Sequence, residues 1–287
     1  MKKLLLVFTT FVFLTGCSQH YAQKQDSNTN ANTNISANAT VNAETTTEKS
    51  TSTLYQVSTL QALMQGYYYP VATAGELKAN GDFGIGCFES VNGELIMLDG
   101  VVYQAVYDGS VLVPEDSATI PYATVSFFKN DITETLAEIL SMENLKEQMD
   151  NIVNKNGNNL FYFVRIDGTF DTIKYRSEYA QKEPYKPLAK AMETDQTFFS
   201  EKNVTGTIVG LYCPDFMDKL NSVGWHFHYI SSDKKKGGHL LEVSAKNADV
   251  KLSKMTNFLM KLTEEEKFQK LPLSKDMNKD IHEVETK

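Results

Sequence analysis

From residue 53 onward, apolar residues recur in short alternating runs separated by glycine-bearing turns, the pattern of paired strands. Residues 53–64 enter this region as a strand or a short helix. Residues 65–71, with three consecutive tyrosines, read as extended, and 72–78 as a short helix. Residues 83–88 form a strand that turns at Asn92-Gly93. Residues 94–98 turn at Asp99-Gly100, and 101–107 turn at Asp108-Gly109. Each of these pairs tolerates the positive φ that a tight hairpin needs. Residues 110–113 and 123–128 complete a β-meander. The period then changes. Ile132, Leu136, Ile139, Leu140, Met142, Leu145 and Met149 make one stripe, which predicts an amphipathic helix over 131–154. Residues 160–166 and 169–175 read as a hairpin around Asp167-Gly168, followed by a short helix at 184–191. Further strands are expected at 205–212, at 225–230 and from His239. Residues 255–262 predict a helix, and a charged tail begins at Thr263. The fold class is α+β, as two related halves with mixed and antiparallel sheets and packed helices.

The first 52 residues follow none of these periods. Lys2 and Lys3 precede an apolar run over 4–14 that is too short to span a bilayer as a helix. It ends in Leu14-Thr15-Gly16-Cys17, which resembles a bacterial lipobox and predicts lipid modification of Cys17. Residues 18–52 are dominated by Asn, Thr, Ser and Ala, a composition that buries too little surface to offset the entropy of ordering. The expected division is a signal peptide at 1–17, a flexible tether at 18–52 and a folded domain at 53–287. The address is outside the cytoplasm, as a membrane-anchored lipoprotein or a secreted protein. The formal charge of −8 becomes −10 once Lys2 and Lys3 are removed, which argues against nucleic acid as a partner. Cys87 and Cys213 either pair in an oxidising compartment or stay as two buried thiols.

The glycines at 81, 84 and 86 match no phosphate-loop spacing and sit in no βαβ unit, so they are read as points of close backbone approach. The candidate chemistry lies further on. Of the five histidines, three fall at 226, 228 and 239. On a strand, His226 and His228 share a face with Cα atoms about 6–7 Å apart. Residues 233–238 read as a turn that returns His239 to that face. Three neutral imidazole nitrogens around Zn²⁺ or a similar ion leave a coordination position open, as catalytic sites do. The chain has no nucleophile elbow, no Cys-x-x-Cys, no Walker loop and no dinucleotide fingerprint, which leaves metal-assisted chemistry on a small polar substrate.

A wider pattern surrounds the histidines. FGIGCF at 83–88, NGELI at 92–96 and LDGVVYQA at 98–105 are followed by Arg176, Pro184-Tyr185 and Pro187-Leu188, then GWHFHYIS at 224–231 and GHLLE at 238–242. Together they resemble the α-acetolactate decarboxylase family over nearly all of residues 53–287. The resemblance implies a zinc enzyme converting (S)-2-acetolactate into (R)-acetoin and CO₂, and a homodimer. It implies His226, His228 and His239 as metal ligands on strands of the C-terminal half, Glu94 as a carboxylate beside the metal and Arg176 as the active-site arginine. Arg165 does not fit the pattern that runs from the arginine to the prolines. A C-terminal glutamate also reaches the family's site, with Glu285 the first choice and Glu283 the second. The family often carries Thr where Cys87 stands, which puts one hydrogen bond near the substrate in question.

The residue types suit that reaction. 2-Acetolactate is a β-keto acid whose ketone receives the electrons released with CO₂, so no organic electron sink is required. The expected route is a metal-stabilised enediolate, with Arg176 favouring the anion and Glu94 and Glu285 supplying a proton to one face. The competing reading is a surface-anchored lipoprotein that binds zinc or a small ligand without turnover. Arg176 discriminates between the two, because a metal-capture site is weakened by a neighbouring cation.

Overall fold

The computed structural model describes residues 50–286. The expected signal peptide, with Cys17, and nearly all of the expected tether at 18–52 lie outside the described residues. Residues 53–64 supply both expected elements: β1 (Thr53–Val57), then α1 (Leu60–Met64), whose first turn is capped by the Thr59 hydroxyl. β2 (Ala72–Thr73) runs into α2 (Ala74–Asn80), which starts at a reciprocal capping box between Thr73 and Glu76. The meander follows as β3 (Phe83–Cys87), β4 (Glu94–Leu98), β5 (Val101–Ala105), β6 (Val111–Leu112), β7 (Thr119–Ile120) and β8 (Tyr122–Ser126). The second series is β9 (Ile132–Leu136), α3 (Met142–Asn156), β10 (Phe161–Glu178), α4 (Leu188–Met192), β11 (Gln196–Cys213), β12 (Gly224–Ser231), β13 (Gly237–Ser244), β14 (Ala248–Met255) and β15 (Asn257–Lys261). The chain continues through α5 (Glu266–Gln269) and α6 (Asn278–Thr286).

The strands form a seven-stranded sheet in the order β15-β1-β8-β3-β4-β5-β6 and a six-stranded sheet in the order β11-β12-β13-β10-β14-β9. An extra β10–β11 pairing makes the second sheet curl back on itself. Leu54, Phe83, Ile85 and Ile96 of the first sheet pack on Phe163, Leu211, Ile230 and Met255 of the second. The other face of the first sheet is covered by α2 through Leu77 and Ala74. The curl of the second encloses Tyr162, Phe170, Tyr175 and Tyr229 and is closed by Leu145, Met149 and Val153 of α3. The architecture is α+β, with helices set against largely antiparallel sheets.

Three expectations are corrected. The helix expected from 131 begins only after Ser141, whose hydroxyl accepts from the Asn144 amide as an N-cap. Residues 132–136 are instead a strand paired with β14. Ile132 and Leu136 fit both a helical and an alternating period, and a waiting strand edge decides between them. Asp167-Gly168 is no turn: β10 runs straight through it, paired with β11 from Tyr162↔Tyr212 to Glu178↔Gln196. On the opposite edge β10 changes partner there, from β14 up to Asp167 to β13 from Thr172. Residues 257–261 are not helical but form a strand parallel to β1. The charged tail carries α5 and α6.

The close-approach reading of the glycines fits. A Cβ on Gly84 would lie 2.1 Å from the Thr124 carbonyl oxygen, and one on Gly86 would lie 2.5 Å from that of Tyr122. Cys87 and Cys213 are free, buried thiols.

Candidate active site

The histidines owe their meeting to strand register. Alternation places His226 and His228 on one face of β12, and His239 of β13 lies directly opposite His228. Arg176 of β10 lies opposite His239 on its other side. Gly238 permits this closeness: a Cβ there would stand 2.2 Å from the Arg176 carbonyl oxygen. The turn between β12 and β13 falls at 232–236, as the sequence suggests.

His226 Nε2 is 3.1 Å from His228 Nε2 and 3.1 Å from His239 Nδ1, and the three nitrogens lie within 4.8 Å of one another. The other ring nitrogens fix the tautomers. His228 Nδ1 donates to the Leu95 carbonyl of β4 at 2.9 Å, which leaves its Nε2 a bare acceptor. His239 Nε2 donates to the Glu285 carbonyl at 3.2 Å, which leaves its Nδ1 bare. His226 Nδ1 lies 3.7 Å from Glu285 Oε2. Burial, with help from Arg176 and Lys146, lowers His226 to about 3, and burial likewise carries His228 and His239 well below the ordinary histidine range. All three are therefore neutral near pH 7, the form that binds a metal. Three converging imidazole lone pairs, two with outer nitrogens held by carbonyls, fit a divalent metal of the zinc type.

Glu94 enters from the first sheet, with Oε2 3.4 Å from His228 Nε2 and Oε1 4.0 Å from Arg176 NH1. Arg176 is only 2 % exposed. Its NH1 donates to Glu178 and to Met192 Sδ, and its NH2 donates to the Val284 carbonyl at 2.6 Å. Burial, reinforced by the charge of Glu178, raises Glu94 well above the carboxylate range, and Arg176 offsets only part of this. Burial raises Glu285 to about 7 against the pull of Arg176 and Lys146. A cavity beside the histidines is lined by Glu94, Arg176, Glu178 and Glu285 and walled by Leu60, Leu63, Leu188 and Met192.

The structure therefore brings His226, His228, His239, Glu94, Arg176 and Glu285 to one place. Glu283 lines surface clefts beside α4 rather than this cavity. Arg165 is held elsewhere by Asp99 and Asp167. Glu178 went unread, although it follows Arg176 by two positions and so shares its face of β10. That spacing was the available signal. The arrangement offers a Lewis-acid position, a fixed cation and protonated carboxyls around a small, mainly apolar chamber.

A sequence profile of the family described as alpha-acetolactate decarboxylase matches residues 54–275. Glu285 lies beyond that segment, so its place in the site rests on the geometry. The alpha-acetolactate decarboxylase of Methanosarcina mazei is 38 % identical over 232 residues, covering 81 % of this chain and 80 % of that protein. That of Bacillus licheniformis is 34 % identical over 215 residues, covering 75 % and 84 %. The X-ray structure of the Bacillus subtilis strain 168 alpha-acetolactate decarboxylase superposes with a TM-score of 0.78 at 32 % identity, over 82 % of this chain and 100 % of that one.

Proposed function

The chain belongs to the alpha-acetolactate decarboxylase family and is a decarboxylase of acetolactate, and from that premise we propose a zinc-dependent conversion of (S)-2-acetolactate to (R)-acetoin and CO₂ at the histidine cluster. The observation that carries this reading is the convergence of three ring nitrogens within 4.8 Å of one another, two of them left bare by carbonyl acceptors on their outer nitrogens. Zn²⁺ held by His226, His228 and His239 would supply a Lewis acid for the electrons left behind when CO₂ departs. Arg176 places a permanent cation beside the cavity, where it favours the anionic substrate and the enolate that follows. Glu178 holds the guanidinium in position. Glu285, raised to about 7, retains a proton near neutral pH and suits the role of the acid that protonates one face of the enolate. Glu94, raised further and lying between His228 and Arg176, holds a second proton and completes the relay.

The rest of the reading rests on sequence. The lipobox ending at Cys17 supports a lipid-anchored, extracytoplasmic enzyme on a tether over 18–52, with the catalytic domain from residue 53. Incorporation of labelled palmitate that disappears in Cys17→Ala would test the anchor. The resemblance to the family supports two related halves and a homodimer, which light scattering on the purified domain would test. The central test is zinc content and acetoin formation measured on one sample. About one zinc per chain with acetoin released is expected. Wild-type activity in a metal-free His226→Ala/His228→Ala protein would overturn the mechanism.

A further inference from the structure

Three buried polar atoms with no hydrogen-bond partner among the described residues belong to side chains that line the active-site cavity: Tyr122 Oη, Arg176 Nε and Glu178 Oε2. Arg176 and Glu178 hold each other through their other atoms. Tyr122 has only its hydroxyl to offer, and no described residue receives it. Leaving a buried hydroxyl unpaired is costly, so a partner is normally supplied.

Register shows where this hydroxyl belongs. Tyr122 of β8 is opposite Cys87 of β3, and Cys87 is opposite Glu94 of β4. Opposed residues share a face, so the three form a row with a spacing of about 5 Å. The Glu94 end meets His228. Tyr122 therefore stands two strands away, at the other end of the row. Carboxyls crowd the histidine end, where Glu94 and Glu285 both lie. With the ketone oxygen of the substrate turned to the histidines, where the Lewis acid would sit, its carboxylate points away from them. The leucine and methionine walls offer it no donor. Among the described residues that line the cavity, the unpartnered donors are Arg176 Nε and the Tyr122 hydroxyl.

We propose that the Tyr122 hydroxyl donates a hydrogen bond to the carboxylate of the bound substrate and sets its orientation in the cavity. This rests on the acetolactate reading above. Burial, then the nearby Cys213, Glu285 and Cys87, keep the phenol well above its usual range, so it stays a donor. A neutral donor suits a group that must leave as uncharged CO₂. A second cation would stabilise the carboxylate in the ground state, and that stabilisation would be lost in the transition state. The contact therefore belongs to ground-state binding, and its loss raises KM and kcat together while kcat/KM stays nearly level.

The test is Tyr122→Phe in the full chain. Two probes separate the substrate's groups: 2-hydroxy-2-methylpropanoate carries hydroxyl and carboxylate, and acetoin carries hydroxyl and ketone. By calorimetry the variant should bind the acid about tenfold more weakly and acetoin unchanged, since a bond to a charged group is lost. KM for 2-acetolactate should rise about tenfold and kcat should rise with it, leaving kcat/KM within about twofold. Thermal stability should stay level or rise, because no internal partner is orphaned. Equal weakening of both probes, a fall in melting temperature, or unchanged affinity for the acid would each overturn the proposal. So would a wild-type protein that does not bind the acid. If the wild type binds both probes but releases no acetoin from 2-acetolactate, the functional reading fails while the two affinities still report on Tyr122.

Discussion

Compare the strand-borne histidines with the helix-borne glutamate. His228 and His239 face each other across β12 and β13, and β13 is flanked in turn by β10. Their positions are fixed by backbone ladders on both sides. Glu285 arrives on α6, which touches the site through two main-chain carbonyls and one carboxylate. Its apolar anchors, Met277, Ile281 and Val284, rest on α1 and α4 rather than in a sheet. Metal ligation needs a geometry that does not move, and a pleated ladder supplies it. Proton delivery needs a group whose environment can be tuned, and a packed helix end supplies that. The difference predicts that metal binding and catalysis separate when each region is changed alone.

His228→Ala removes a nitrogen from the rigid half. Acetoin formation should fall by about a thousandfold or more and zinc should be lost with it, as metal analysis would show. Zinc retained at one per chain would break the comparison. Glu285→Gln acts on the other half. Activity should fall by about a hundredfold while zinc stays bound. Loss of zinc in this variant would mean that helix and strands are not separable.

The pH profile sharpens the same point. If Glu285 acts as the acid it must be protonated, and its position at about 7 makes kcat/KM fall as pH rises above neutrality. That limb should vanish in Glu285→Gln. The smallest effect is on stability. A carboxyl raised in the folded state binds its proton more tightly there than in the unfolded chain. Folding stability therefore declines as pH rises from about 4.5 to about 7 and levels off beyond. In metal-free protein, Glu285→Gln should accordingly raise the melting temperature at pH 8 and leave it unchanged at pH 4. The gain is bounded at about 3 kcal/mol.

The two regions also differ in how far the sequence revealed them. His226, His228 and His239 were legible because alternation and a turn are local, and two facts of spacing suffice to put three rings on one face. Arg176 and Glu94 came only with the wider family pattern, since nothing local distinguishes them from surface charges. Glu178 was missed beside Arg176 because an acid on a strand usually means a solvated face. Its burial depends on α4, close by in sequence, and on α6, which packs there from far along the chain. The expected helix at 131 and the expected turn at Asp167-Gly168 failed for one reason: each segment had a distant strand edge to pair with. Local period does not contain that partner.

The two carbonyls of α6 have a further consequence. Val284 and Glu285 reach Arg176 and His239 through main-chain oxygens, which every residue type possesses. Substitution at 284 by another apolar residue leaves that oxygen in place, and among the polar side chains of the helix a scan would report Glu285 most strongly. One inserted or deleted residue within α6, ahead of Val284, would turn the helix by about 100° and swing both oxygens and the carboxylate away together. Drift in this segment is therefore more tolerant of spelling than of length, although its charged composition suggests a loose tail.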